Sequence, residues 1–275
     1  MSKLRLLLSH GDNEKGNQVK STFAGLALAK GFEIVEENPD FVVSIGGDGT
    51  MLRTIREYKH LHVPYIGINA GRLGFLPTFK SDRDSLESLL DLIKESDYSV
   101  MMRPLLEVEI TDVDGEVTSN FAFNEVFTKY ANIKMLEADI YIDEVHFNHY
   151  TGDGFVVSTP LGATGYAIWS GAAVLKPSTP CYQLTPINPN NSSIHNPLLY
   201  SMIIPENERL RFQIRNNDGN SIAISCDGNT VITKNITSIK VGISRERIAV
   251  VESRYYDYWA IFKSKILYKT DPEHR

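Results

Sequence analysis

Asp40-Phe41-Val42-Val43-Ser44-Ile45-Gly46-Gly47-Asp48-Gly49-Thr50 is the stretch whose reading decides the fold. It opens as a short apolar run with β-branched residues, bounded by Pro39 and by glycines, and so reads as a buried strand. Met51-Leu52-Arg53-Thr54-Ile55-Arg56 follows and is a good helix start. The glycines therefore occupy a strand-to-helix turn, where open α/β sheets bind ligands beyond the carboxyl ends of their strands. Glycines let a ligand approach the backbone, and amides at a helix N-terminus favour phosphate. Asp48 is the only acid inside this turn. An acid beside a phosphate is unfavourable unless it holds a metal or takes a proton. Gly-Asp-Gly is also a common turn and Thr50 a plain N-cap; the strand before and the helix after favour phosphate handling over that blander reading. The stretch fits neither Gly-x-x-x-x-Gly-Lys-Ser/Thr nor Gly-x-Gly-x-x-Gly, which argues against a P-loop NTPase and an ordinary Rossmann dehydrogenase.

Outward from this stretch, residues 3–9 read as a first buried strand, followed by a polar turn over 10–16. Val19, Phe23, Leu26 and Leu28 recur at roughly helical spacing, and the pattern stops at Gly31. Residues 32–35 and 63–68 read as further strands. Residues 82–95 read as an amphipathic helix with Leu86, Leu89, Leu90 and Ile93 on one face. The order β-α-β-β-α-β describes an open α/β domain with a largely parallel sheet. From Tyr98 the texture changes. Strand-like runs at 105–110, 118–127, 135–143, 201–204, 210–214, 221–226, 238–243 and 248–252, with turns at Asp114-Gly115 and Asp153-Gly154, describe a β-rich region. The expected architecture is α+β overall. Residues 1–98 form an α/β domain with an open, largely parallel sheet, residues 99–255 a β-rich domain, and residues 256–275 a helical or mixed tail packing back on the first domain.

A chain of 275 residues suits two domains. A net charge of -6 without a basic block argues against a general nucleic-acid-binding role. Cys181 and Cys226 fit no zinc spacing and are too few for a disulfide scaffold, so a reducing, cytoplasmic setting is expected. The apolar run near the N-terminus is too short for a membrane span, and no membrane partner is expected.

Four more motifs follow. In Gly67-Ile68-Asn69-Ala70-Gly71-Arg72-Leu73-Gly74-Phe75-Leu76, a glycine turn with Leu73 and Phe75 packed is the better reading of the stretch alone. Phe123-Asn124-Glu125-Val126 places a carboxylate and an amide among apolar residues. They read equally as a pair for ribose hydroxyls and an adenine edge, or as a strand edge facing water. In the stretch from Asp153 to Tyr166, Ser158, Thr159 and Thr164 offer hydrogen bonds, Gly162, Ala163 and Gly165 permit close approach, and Tyr166 offers a ring. The same small residues also suit packing, with Thr164 capping a helix over 167–175. Ser225-Cys226-Asp227-Gly228-Asn229 reads by itself as a hairpin turn.

Gly46-Gly47-Asp48-Gly49-Thr50 alone resembles a signature shared by NAD kinases, diacylglycerol and sphingosine kinases and, more loosely, phosphofructokinases. The ordered set Gly-Gly-Asp-Gly-Thr, Gly-Ile-Asn-x-Gly-x-Leu-Gly-Phe-Leu, Asn-Glu-Val, Asp-Gly-x-x-x-Ser-Thr-Pro-x-Gly-x-Thr-x-Tyr and Asp-Gly closely resembles the NAD kinase family over residues 3–255, its shorter Gram-positive bacterial members most. That resemblance implies transfer of the terminal phosphoryl of ATP, or of inorganic polyphosphate, to the 2′-hydroxyl of the adenosine ribose of NAD, giving NADP, with Asp48 as proton acceptor. It implies a divalent cation, Mg²⁺ first, carried on the phosphates, since no dedicated metal cage is visible in the sequence. Gly46, Gly47, Gly49 and Thr50 are then expected at phosphate, with Arg53 either joining them or lying on a solvated helix face.

By the same resemblance, Asn124 and Glu125 hold the adenosine moiety and Asp153 meets the nicotinamide amide. Thr164, Gly165 and Tyr166 line the dinucleotide cleft together with Asp48 and Gly49. Phe75 lies near the adenine-ribose region, and Asp227 lies near the site. A homodimer or homotetramer is implied. Gly165, Gly171-Ala172, Arg72 and Trp169 depart from the family pattern and bear on nucleotide pose and on acceptance of NADH. Two alternatives are carried: a lipid or sphingoid-base kinase, which needs an apolar groove, and a non-catalytic dinucleotide sensor, which does not need Asp48.

Overall fold

The computed structural model describes residues 3–71, 74–190, 198–215 and 221–268. The chain divides into two compact units, residues 1–103 with 248–275, and residues 104–247. Arg72 and Leu73 of the second glycine motif lie outside the described residues.

The first unit is an α/β layer. β1 (Arg5–His10), β2 (Glu33–Ile34), β3 (Phe41–Gly46) and β4 (Tyr65–Asn69) run parallel in the order β2-β1-β3-β4, with β5 (Phe79–Lys80) on the outer edge of β4. Every residue of β3 is buried, as the continuous apolar run requires of a central parallel strand. α1 (Glu14–Ala29) starts at Asn13, whose side chain accepts from the Gly16 amide at 2.7 Å. Its buried face is Gly16, Val19, Phe23 and Ala27. Leu28, which the spacing put on that face, is 58% exposed, because the i, i+4 series from Val19 through Phe23 lands on Ala27. α3 (Arg83–Lys94) follows α2 (Asp48–Tyr58) and buries Leu86, Leu89, Leu90 and Ile93.

The helix after the glycine turn begins at Asp48, not at Met51. Gly47 is the extended N-cap at φ -98, so Asp48, Gly49 and Thr50 form the first helical turn. An acidic residue there is favoured by the partial positive charge of the helix N-terminus.

The second unit is built from antiparallel strands. They are β6 (Ser99–Asp112, entering from the first unit), β7 (Val117–Ala122), β8 (Glu125–Tyr130), β9 (Leu136–Ile142), β10 (Val145–Ser158), β11 (Cys181–Pro189), β12 (Met202–Pro205), β13 (Arg209–Ile214), β14 (Ile222–Cys226), β15 (Asn229–Thr233) and β16 (Ile236–Glu252). The main path runs β15-β14-β8-β10-β9-β13-β16. Its core includes the stacked pair Phe155 and Phe212, with ring centroids 3.8 Å apart.

Several local expectations change here. Residues 118–127 are two strands, broken at Phe123-Asn124. Asp153-Gly154 is not a turn: Gly154 pairs with Ile187 on one side and Lys129 on the other, and ladder bonds override turn chemistry. The helix expected over 167–175 is one turn, α4 (Tyr166–Trp169), followed by Gly171 at φ 90. Residues 238–243 and 248–252 belong to one strand, β16. β11 and β15 were not anticipated.

β16 ends in the first unit, where Val250 and Val251 pair in parallel with Tyr65 and Ile66. Residues 248–255, read from sequence with the β-rich region, therefore cluster with the α/β layer. The chain closes with α5 (Tyr258–Phe262) and a π-helical turn, Lys263–Leu267. Asp257 caps α5 through the Trp259 and Ala260 amides at 3.0 and 3.2 Å.

Arg103 and Glu252 form an ion pair within the first unit, with side chains only 6% and 14% exposed, and burial holds the Arg103 guanidinium below its usual pKa. Removing one partner leaves the other charge buried. Arg103→Met is expected to lower stability by about 3 kcal/mol, read by urea unfolding, and Arg103→Met with Glu252→Met together should recover part of that loss.

Candidate active site

In the first unit, the carboxyl ends of β3 and β4 set the geometry. Gly46 ends β3 against the Thr50 side chain, which fills the space a Cβ would take. Gly47 and Gly49 have nothing within 4 Å of where a Cβ would stand, so this face of the turn is open. Beneath it Thr54 Oγ1 is buried, 2.8 Å from Ser9 Oγ, 3.1 Å from Ser44 Oγ and 2.8 Å from the Thr50 carbonyl. This network ties α2 to β1 and β3.

Asp48 is the acid of this end. Its Oδ1 accepts from the Leu76 amide at 2.9 Å and its Oδ2 from the Phe75 amide at 3.1 Å. Lys265 Nζ donates to Oδ2 from 3.3 Å. The second glycine motif thus holds the acid through its backbone, and the C-terminal segment supplies a cation. Phe75 itself is buried, 6.1 Å from the Tyr258 ring and 4.4 Å from Lys265 Nζ. Arg53 donates to the His10 carbonyl and pairs with Asp12 at 3.4 Å, which fastens α2 to the loop after β1.

In the second unit, Asp227 and Gly228 sit at φ 50 and 79 between the paired residues Cys226 and Asn229. Two positive φ values in a two-residue loop are the type I′ turn that suits the twist of a hairpin. From this turn the Asp227 carboxylate accepts from the amides of Phe123, Asn124 and Glu125 at 2.6, 2.8 and 3.1 Å. The break between β7 and β8 is thereby satisfied by one side chain, and the hairpin reading of this turn holds.

Two polar atoms next to this break are left open. Asn124 Oδ1 and Glu125 Oε2 are buried and have no hydrogen-bond partner among the described residues, and Ser158 Oγ, directly across the ladder from Glu125, is in the same condition. Unpartnered buried polar atoms call for a ligand or water. Burial first, and the Asp227 charge second, push the Glu125 carboxyl up to about 7, against the Tyr166 amide, which favours its charge. Gly165 adjoins this carboxyl: a Cβ there would lie 2.7 Å from Glu125 Oε2. The glycine at this position therefore gives room to the acid. Tyr166 is 48% exposed, with its ring edge-on to Phe127 at 5.1 Å, and Thr164 Oγ1 donates to the Leu161 carbonyl at 3.2 Å.

Within this unit Asn124, Glu125, Thr164, Gly165, Tyr166 and Asp227 come together. Asp153 does not join them. It is exposed, accepts from Asn188 Nδ2 at 2.8 Å, and lies five residues along β10 from Ser158, about 16 Å at strand rise. Lys265 was missed in the sequence, where a lysine in a basic tail carries no signal of its own.

Residues 9–98 match the family model of the ATP-NAD kinase N-terminal domain, and residues 123–253 that of the ATP-NAD kinase C-terminal domain. The chain is 35% identical over 236 residues to an NAD kinase of Cytophaga hutchinsonii, covering 85% of this chain and 77% of that one. It is 31% identical over 258 residues to an NAD kinase of Staphylococcus aureus, covering 92% and 93%. In fold it is similar to yeast NADH kinase solved with NADH, at TM-score 0.83 and 18% identity over 98% of this chain and 89% of that one. It is also similar to an NAD kinase from Archaeoglobus fulgidus solved with ATP, at TM-score 0.71 and 22% identity over 95% and 97%.

The raised Glu125 carboxyl links stability to pH. Its folded value of about 7 stands above the ordinary 4.5, so its full contribution is present below 4.5 and is lost as pH rises through 7. The unfolding free energy of Glu125→Gln relative to the unsubstituted protein is expected to rise by about 3 kcal/mol between those limits and then level off. Denaturant titrations across that pH range check it.

Proposed function

The chain belongs to the NAD kinase family, and from that premise we propose that it transfers the terminal phosphoryl of ATP to the 2′-hydroxyl of the adenosine ribose of NAD, with Asp48 taking the hydroxyl proton. The observation that carries the role of Asp48 is the occupancy of its carboxylate. A carboxylate offers about four acceptor positions. Among the described residues Oδ2 takes the Phe75 amide and Lys265, and Oδ1 takes the Leu76 amide, which leaves one position on Oδ1 for a hydroxyl.

In this reading the open face of Gly47 and Gly49, at the N-terminus of α2, receives phosphate through backbone amides and the helix dipole. The 2′-oxygen bonds to the terminal phosphorus as the bond from that phosphorus to its bridging oxygen breaks. ADP leaves with the electron pair, and the proton passes to Asp48. The second unit contributes recognition. Asn124 Oδ1, Glu125 Oε2 and Ser158 Oγ are the open polar atoms that suit the hydroxyls and amine of an adenosine. Tyr166 presents a ring for stacking.

Among the described residues no group of three or more His, Cys, Asp or Glu is arranged to hold a metal ion. In the proposed reaction a divalent cation, Mg²⁺ first, would be carried in on the phosphates and would supply charge neutralisation. Inorganic polyphosphate presents the same terminal phosphoryl and belongs in the same assay. A cytoplasmic setting fits two free, buried cysteines, and among the described residues no helix is long and apolar enough to cross a membrane. A homo-oligomer is part of the proposal, supported by the edge strand β15, which exposes Val231 and Ile232. Sedimentation showing monomer alone at assay concentration would reject that part.

Purified protein with NAD, Mg²⁺ and ATP is expected to form NADP. No NADP with either ATP or polyphosphate would reject the reading. Asp48→Asn is expected to lower kcat by about 10² to 10⁴ while NAD affinity stays within about threefold; turnover like that of the unsubstituted enzyme would remove Asp48 from the base role.

A further inference from the structure

Lys265 stands 217 residues from Asp48 in the sequence, yet its ammonium lies 3.3 Å from Asp48 Oδ2. It is not a loose surface contact. The Lys265 side chain is 23% exposed and that of Asp48 32%, and the ammonium also lies 4.4 Å from the Phe75 ring centroid. Two attractive partners on different atoms define one position for the charge.

The segment that carries it is built to hold that position. Tyr258 is 4% exposed and packs on Phe75 and Trp259, at centroid distances of 6.1 and 5.0 Å. Tyr256 hydroxyl reaches the Phe75 carbonyl at 3.5 Å. After α5 the backbone widens into the π turn Lys263–Leu267, closed by the Tyr268 amide on the Lys263 carbonyl at 3.0 Å. Such turns rotate side chains out of ordinary helical register.

An acid at a phosphate-receiving turn has an electrostatic problem, because its charge repels the ligand the turn is meant to hold. The cation on α2 nearest in sequence, Arg53, is engaged with His10 and Asp12. We propose that Lys265 is the charge partner of Asp48, a positioning residue that cancels the carboxylate's repulsion of the phosphoryl donor while holding its orientation. This rests on the reading of the glycine turn as the donor phosphate site. It does not require Asp48 to be the base.

The test is a double-mutant cycle read in binding rather than in turnover. Calorimetric titration of the full chain with MgATP, without NAD and at about 50 mM salt to limit screening, would compare the unsubstituted protein, Lys265→Met, Asp48→Asn and the double variant, with Lys265→Arg as the charge-retaining control; Asp48→Asn alone is expected to bind ATP within about threefold of the unsubstituted protein. Lys265→Met is expected to weaken ATP binding about 10-fold and Lys265→Arg by no more than about threefold. Asp48→Asn with Lys265→Met together should return to within about threefold of the unsubstituted protein, because the uncompensated charge is gone. Unchanged binding in Lys265→Met would overturn the proposal. So would a double variant as weak as Lys265→Met, which would make the lysine a direct phosphate ligand or a packing residue. Lys265→Gln serves the same cycle where the Met variant does not fold. Full turnover in Asp48→Asn would reject the base and leave this cycle standing; absence of ATP binding by the unsubstituted protein would reject both.

Discussion

The grip of the Asp48 carboxylate on the Phe75 and Leu76 amides is the constraint on which the first unit's functional end depends. It joins the turn after β3 to the turn after β4, adding side-chain bonds to the parallel pairing of the two strands. Both glycine motifs then make sense as a pair. The first opens a face at Gly47 and Gly49, and the second turns its backbone donors toward the acid in the middle of the first. A carboxylate held by fixed amides needs little reorganisation when a proton arrives or leaves, which is the setting in which electrostatic catalysis is strongest.

The second unit uses the same device for a different end. Asp227 gathers three consecutive amides, which lets the chain break between β7 and β8 without leaving buried donors open. That break leaves Asn124 between the strands and Glu125 at the first position of β8, with Asn124 Oδ1 and Glu125 Oε2 lacking partners. The proximity of Asp227 also raises the energy of a charged Glu125. Two buried polar atoms thus stand side by side at the end of β8, one of them on a carboxyl whose charge is disfavoured by its neighbour.

Much of the site was legible because its residues are close in sequence. The glycine turn, Asn124-Glu125 and the run from Ser158 to Tyr166 are each contiguous, and the needs of a tight turn, a buried amide or a small-residue corner show in local spacing. Boundaries were less legible. Asp48 joins α2 because Gly47 can take the extended N-cap conformation. Asp153-Gly154 reads as a turn in isolation and becomes strand because partners on both sides claim its backbone. Leu28 lost its place in the core to Ala27 because it follows Val19 by nine residues, about two and a half turns, and so falls on the opposite side of the helix.

By itself the sequence determined the α/β character of the first region, the β-rich character of the second, and the placement of an acid in a glycine turn between strand and helix. Periodicity and turn chemistry are local, and they act on residues within a few positions of one another. Only the tertiary structure decided which groups the acids meet. Lys265 reaches Asp48 across 217 positions, and Asp227 reaches the Phe123–Glu125 amides across just over a hundred. Such meetings are set by how strands and turns close in space, and side chains so far apart in the chain leave no periodic trace of their contact.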